Sequence, residues 1–178
     1  MSAPQPKGIF RDLGRSLEFV GDFDGLYRSE ADPWGQSGAH GPMASYYAAS
    51  RNRLATALAG HLRGAGERLE VGCGHGHVLT QINNAVRGGR WHGLDVSPEA
   101  IEQAQALYPA FEFHVGDITS PLIPAELGCS RFDAVILSQV LWYVLEAIDD
   151  AVCHCKAMLR RGGILVVSQA FLRGPQRY

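Results

Sequence analysis

The sequence predicts an α/β protein built on a doubly wound, mostly parallel sheet. Three observations carry that expectation. Short apolar segments alternate with helical segments from Arg68 to Ser168. The links between them are short, as in consecutive β-α units. Hydrogen-bonding groups recur at the carboxyl ends of the strands, where such sheets bind ligands.

The elements can be taken in order. Residues 1 to 44, rich in Gly, Pro, Asp and Ser with scattered aromatics, read as an N-terminal arm or lid with a short helix near Leu13–Val20. Residues 45–178 read as the main domain. From Ser45 to Leu62, Tyr47, Leu54, Leu58 and Leu62 recur at helical spacing. Arg68–Val71 is a short strand that runs into Gly72-Cys73-Gly74-His75-Gly76. His77–Val86 is a helix and Arg90–Asp95 a second strand. Pro98–Leu107 is a helix, with Ser97 as its cap and Pro98 at its first position. Phe111–Val115 is a third strand, followed by a proline-rich loop. Phe132–Ser138 is a fourth, apolar enough to be buried on both faces. Leu145–Leu159 is a helix stopped by Arg160-Arg161-Gly162-Gly163. Ile164–Ser168 is a fifth strand.

Composition narrows the partners. The chain has 178 residues, 46% hydrophobic and 19% charged, with a formal net charge of −2. That is enough for one proper core and gives no global attraction to nucleic acid or an anionic membrane. The apolar runs are too short to span a bilayer, and the N-terminus lacks the core of a secretory signal. A soluble cytoplasmic protein is expected, as monomer or homodimer. The four cysteines form no C-x-x-C pair, which suits reduced thiols. Cys153-His154-Cys155 lies on a helical pattern, where residues two apart diverge. His75 and His77 would need a third ligand. No metal is expected at either place. His75 is expected to line the edge of the ligand cleft and His77 to begin the helix.

The strand ends then ask which ligand they suit. They offer Glu70 and the glycines, Asp95, Asp117, and Ser138-Gln139. A dinucleotide fingerprint would need a third glycine at 77, where His77 stands. Glu70, two residues before Gly72, would repel a pyrophosphate and attract a cation. Asp95 follows Gly72 by 23 residues, a spacing that suits a carboxylate on a ribose diol. Asp117 can face an adenine amine. A phosphate-free adenosine with a cationic tail fits, and S-adenosyl-L-methionine is such a ligand, with S-adenosyl-L-homocysteine as its product.

From Glu67 to Phe171 the chain resembles the class I S-adenosylmethionine-dependent methyltransferases, Rossmann-like in fold. LEVGCGHG, GLDVSPEAI, VGDI, FDAVILSQVLWYV and LRRGGILVVS are similar to five of that family's motifs, in order. The resemblance implies cofactor roles for Glu70, Gly72, Cys73, Gly74, Gly76, Asp95, Val96, Asp117, Ile118 and Ser138. It places Gln139, Trp142 and Tyr143 at the substrate. It also implies two further strands after the fifth, whereas the sequence has ten residues after Ser168. The edge of the fifth strand is therefore expected to be covered by a partner chain or by the arm.

A finer resemblance is to the nodulation sugar N-methyltransferases. Asp32-Pro33-Trp34, Tyr47 with Arg51, and LSQVLWYV are similar to an Asp-Pro-Trp, a Tyr-Glu-x-x-Lys and an LSE-x-x-YY arrangement. This sequence has Ala48, Arg51 and Gln139 in place of Glu, Lys and Glu. The resemblance implies a lid with an aromatic, Trp34 or Tyr47, over the sulfonium and Arg51 on the cofactor carboxylate. The expected activity is methyl transfer to a small molecule at nitrogen or oxygen, with an amino sugar among the candidate acceptors and no general base named. The alternatives are a non-catalytic or aminopropyl-transferring relative and, least favoured, a nicotinamide dehydrogenase. Ser138-Gln139-Val140-Leu141 replaces the Asn/Asp-Pro-Pro-Tyr element of nucleic-acid amino-methylases, which argues for a small acceptor over a flipped base.

Overall fold

The computed structural model describes residues 9–14, 17–37, 44–62, 64–86 and 88–170. Its centre is a five-stranded parallel sheet. The strands are β3 (Glu67–Val71), β4 (Arg90–Asp95), β5 (Glu112–Val115), β6 (Phe132–Ser138) and β7 (Leu159–Ser168), in the order β5-β4-β3-β6-β7. The chain first winds outward from the centre to β5, then returns to pass β3 on its other side. The carboxyl ends of β3 and β6 meet at that reversal, so a crevice opens above them.

The helices cover both faces. One apolar cluster joins α2 (Ala44–Ala59) and α3 (His77–Ala85) to the sheet through Leu54, Leu58, Leu79, Ile82, Trp91, Ala134 and Ile136. The other joins α5 (Ile123–Leu127) and α6 (Ile148–Met158) through Ile123, Leu127, Phe132, Val135, Leu137, Ala151 and Met158. Along β6 the side chains alternate between the two clusters, and Ala134 to Leu137 are all inaccessible. This is the strand buried on both faces that its composition predicts. α4 (Pro98–Leu107) starts as expected, with the Ser97 hydroxyl accepting from the Ala100 amide at 3.1 Å.

Four elements differ from the expectation. Among the described residues of 13–20 none is helical. The arm forms a hairpin, β1 (Phe10–Asp12) with β2 (Leu17–Phe19), and its helix α1 (Phe23–Ser29) comes later. The Asp22 carboxylate caps that helix by accepting from the Gly25 amide at 2.9 Å. The proline-rich loop contains the one-turn α5. The helix expected from Leu145 starts at Ile148, after two 3-10 turns at Leu141–Tyr143 and Leu145–Ala147 whose caps carry no side-chain hydrogen bond. Arg160 to Gly163 fall within β7 as an irregularity in its pairing with β6.

Among the described residues β7 is the last strand of the sheet, and no helix is long and apolar enough to cross a membrane. Cys155 is buried, Cys153 is exposed, and the His154 ring contacts the Ile118 carbonyl at 2.7 Å. Those three side chains diverge as helical spacing requires.

Candidate functional site

Above the carboxyl ends of β3, β4 and β6 lies a cavity of about 880 Å³. Its floor starts at the glycine turn. Gly72 and Gly74 have φ of +68° and +50°, which L side chains rarely adopt. A Cβ on Gly72 would stand 2.3 Å from Val140 Cγ2, and one on Gly74 would stand 2.6 Å from the Tyr27 hydroxyl. The turn therefore presents bare backbone to the cavity.

One carboxylate, Asp95, lines this floor; a second, Glu70 of β3, is buried and is not part of the cavity wall. Asp95, 8% exposed, accepts from the Gly74 amide at 2.9 Å through Oδ2 and from the Ser97 amide at 3.0 Å through Oδ1. Each oxygen keeps an acceptor position beyond that bond. Glu70 is 1% exposed, and its Oε2 is buried with no hydrogen-bond partner. Burial raises both carboxyls above the ordinary range, and the charge of Asp95 raises Glu70 further. Two acidic groups are thus buried near one another, with the Arg51 guanidinium only partly offsetting the rise at Glu70, an arrangement that costs stability.

Trp34, Tyr47, Gly72, Gly74, Asp95, Val96, Asp117, Ile118, Ser138, Gln139, Trp142 and Tyr143 all line the cavity. The sequence singled out each of them. Asp117 Oδ1 accepts from both the amide and the hydroxyl of Thr119 at 2.8 Å, which fixes its orientation at the rim.

Several other expected site residues stand elsewhere. The Cys73 side chain is buried in the core, where a Cβ on Gly93 would lie 2.6 Å from its Sγ, so only its backbone belongs to the turn. Gly76 begins α3 and packs near Phe113 and Tyr108. His75 does not line the cavity. It is buried against Tyr27, with ring centroids 4.8 Å apart, while His77 opens α3 as expected. Arg51 donates through Nε to Gln81 Oε1 at 2.7 Å and through Nη1 to the Gln36 carbonyl. It joins the 31–37 segment to α3 and is not among the residues that line the cavity. The Gln139 side chain lines the wall, yet its amide ends bond the backbone of Ser168 and Ala170. It braces β7 more than it addresses a ligand. Its φ of +62° marks a strained turn at the end of β6.

The arm supplies residues that sequence reasoning missed. Tyr27 is buried beside Gly74, and its hydroxyl accepts from Trp34 Nε1 at 3.0 Å. Burial pushes its phenol well above the ordinary value, so it is no base. Phe19, Phe23 and Trp34 gather around Tyr143, with centroid distances of 5.9, 5.2 and 6.2 Å. Asp24 fastens α1 to the start of α4, accepting from the Ser97 hydroxyl and from the Glu99 amide at 3.3 Å. The available signals were Asp22 as a cap and Phe23 with Tyr27 four residues apart.

Comparison with known proteins adds an independent line. Residues 69–165 match the family model described as "Methyltransferase domain". Over 104 residues the chain is 25% identical to protein 235L of Invertebrate iridescent virus 6, a protein named for an inferred methyltransferase activity. That match covers 58% of this chain and 37% of the viral one. The CurJ carbon methyltransferase superposes with a TM-score of 0.69 at 18% identity, over 84% of this chain and 42% of the other. DesVI of Streptomyces venezuelae superposes with a TM-score of 0.54 at 26% identity, over 70% and 51%. The chain therefore spans about half or less of the length of each of these proteins.

Proposed function

The chain belongs to the methyltransferase-domain family, whose methyl donor is S-adenosylmethionine, and on that premise we propose that it transfers a methyl group from this cofactor to a small molecule. The observation that carries the proposal is the Asp95 carboxylate under a bare glycine turn that opens into the cavity, with a second carboxyl, Glu70, buried two residues before that turn. This floor repels a pyrophosphate and suits an adenosyl group with a cationic tail. The unpartnered Glu70 Oε2 is an acceptor that awaits a donor.

Asp95 would hold the ribose diol, and Asp117 with Ile118 the adenine. The carbonyls of Gly72 and Gly74 would face the ammonium of the amino acid end, since the Gly72, Cys73 and Gly74 amides are already bonded to the Leu94 carbonyl and to Asp95. When bound, the cofactor supplies an electrophilic methyl group on sulfonium. The chain's own part is to align an acceptor with that methyl group and to exclude water. Residues 1–44 act as the lid. Phe19, Phe23 and Trp34 converge on Tyr143 there, and Arg51 holds the segment down through the Gln36 carbonyl.

The acceptor end of the cavity is walled by Phe10, Phe19, Phe23, Trp142 and Tyr143. Aromatic faces attract an amine in its cationic form and pack the apolar faces of a sugar ring. Together with Asp32-Pro33-Trp34, this favours transfer to nitrogen or oxygen of an amine or amino sugar. The net charge of −2 weighs against a nucleic-acid acceptor.

Thermal unfolding with S-adenosylmethionine, S-adenosylhomocysteine or NAD tests the cofactor, and the first two should stabilise the chain. Stabilisation by NAD alone would overturn the proposal. Radiolabelled methyl donor with a panel of amino sugars, amines and phenols tests the acceptor. Transfer to no amino sugar would remove that class.

A further inference from the structure

Toward the amino end of the sheet, a few residues along β4 from the cavity, three metal-ligating side chains converge. His92 of β4 pairs in register with Glu112 of β5, and Leu94 pairs with His114. Alternate residues of a strand share a face, so His92, Glu112 and His114 all point to the same side of the sheet. One ligand atom from each lies within 4.8 Å of the others. His92 is fully buried, while the Glu112 side chain is 45% exposed and opens the cluster to solvent.

The distances suit an ion better than a hydrogen bond. His92 Nδ1 lies 3.4 Å from His114 Nε2 and 3.4 Å from Glu112 Oε2. Hydrogen bonds of this kind centre near 2.9 to 3.0 Å, so both contacts are long by about 0.4 Å. A zinc ion at roughly 2.0–2.1 Å from each ligand, with tetrahedral angles, holds neighbouring ligand atoms about 3.3–3.4 Å apart. Both edges that meet at His92 Nδ1 have that length.

A second layer of groups orients the first. His92 Nε2 lies 3.3 Å from Glu67 Oε2, and Arg131 Nε also donates to that oxygen. Glu67 can thus hold the proton of His92 on Nε2, which leaves the Nδ1 lone pair facing His114 and Glu112. Carboxylate behind histidine is the usual support for a ligating imidazole. Arg131 Nη2, 3.4 Å from His92 Nε2, and Arg90, paired with Glu112 Oε1, complete the surroundings. Burial lowers the His92 and His114 pKa values, with Arg131 adding to the effect, a direction that favours the neutral ring a metal needs.

We propose that His92, Glu112 and His114 form a binding site for a divalent d-block ion, zinc above all, which pins the edge strand β5 to β4. Two histidines and one carboxylate leave a fourth, water-filled position on an open zinc site. The site is distinct from the cofactor cavity and takes no part in methyl transfer. His92 stands 20 and 22 residues before Glu112 and His114, and only the parallel register of β4 and β5 brings it to them.

The full 178-residue chain, freed of metal by a chelator, should bind one equivalent of zinc by titration calorimetry. Cobalt in its place should give the intense visible band of tetrahedral coordination. Glu112→Gln and His114→Asn should each weaken zinc by about a hundredfold or more, and Glu67→Gln by roughly 10- to 100-fold. Glu112 is half exposed, so Glu112→Gln keeps the test decisive if His114→Asn loses its fold. Cys153→Ser should leave the affinity unchanged. Absence of binding at millimolar zinc, or binding that survives both Glu112→Gln and His114→Asn, would overturn the proposal.

Discussion

The two ends of the sheet handle charge in opposite ways. At the carboxyl end Glu70 and Asp95 are buried with no cation bonded to either, and one Glu70 oxygen has no partner. At the amino end acidic and basic groups are matched. Glu67 pairs with Arg131, Glu112 with Arg90, and Asp133 with Arg160. The pKa directions follow. Burial raises Glu70 and Asp95, while the Arg90 guanidinium lowers Glu112. The two ends are only a few residues apart along β4, so the difference is not one of core against surface. It separates a floor whose carboxyls have no guanidinium bonded to them from an end whose carboxylates each have one. Unsatisfied buried charge is tolerated where a ligand supplies the missing partner.

The largest expected effect comes from removing the ribose acceptor. Asp95→Ala should weaken S-adenosylhomocysteine binding by a hundredfold or more, since each hydrogen bond to a charged acceptor is worth about 1.5–3 kcal/mol. Titration calorimetry measures this, and an unchanged affinity would break the assignment of the carboxyl end to the cofactor. Gly72→Ala comes next. It forces a side chain into a φ of +68° and against Val140. Strain and overpacking together should cost about 2–4 kcal/mol, read as a lowered urea midpoint.

Glu70→Gln should act in the other direction on stability. Its folded pKa lies above its unfolded value, so the folded state binds the proton more tightly. The stability linked to that proton is complete below about pH 4.3 and is lost as pH rises through the folded pKa. The uncharged variant escapes that loss. At pH 8 and without cofactor it should melt higher than the parent, a gain of about 1 kcal/mol reading as roughly 2–4 °C at this chain length. Its cofactor affinity should nevertheless fall. Lower stability with unchanged affinity would mean that Glu70 is a structural acid.

Much of this contrast was legible in the sequence, and the parts that were not share a cause. Alternating strands and helices, the glycine turn and the carboxylates after β3 and β4 are local patterns, so the sheet and the cavity floor could be read directly. Pairings between distant segments could not. Nothing local tells that Gln139 braces Ser168 and Ala170, or that Arg51 bonds the Gln36 carbonyl. The arm's three-residue strands are too short to show a period, and they form where Phe19 and Phe23 rest on Tyr143. His92, Glu112 and His114 become a cluster only once β4 and β5 are in register. The cap at Asp22 and the Phe23–Tyr27 spacing were visible but were overshadowed by the surrounding glycines and prolines.

The smallest effect tests the matched end. Arg160 pairs with Asp133, with the arginine side chain 53% exposed. Solvent-exposed pairs contribute about 0–1 kcal/mol because water and salt screen them and ordering a long side chain costs entropy. Asp133 has other work, since its Oδ2 accepts from the Glu67 amide at 2.7 Å at the start of β3. Arg160→Ala should therefore lower stability by no more than about 1 kcal/mol in dilute buffer, and by less in molar salt. Cofactor affinity should not move. Urea unfolding at two salt concentrations measures both parts. A loss as large as that of Gly72→Ala, unchanged by salt, would mean that charge at the amino end is held as tightly as the floor of the cavity, and the contrast between the two ends of β4 would fail.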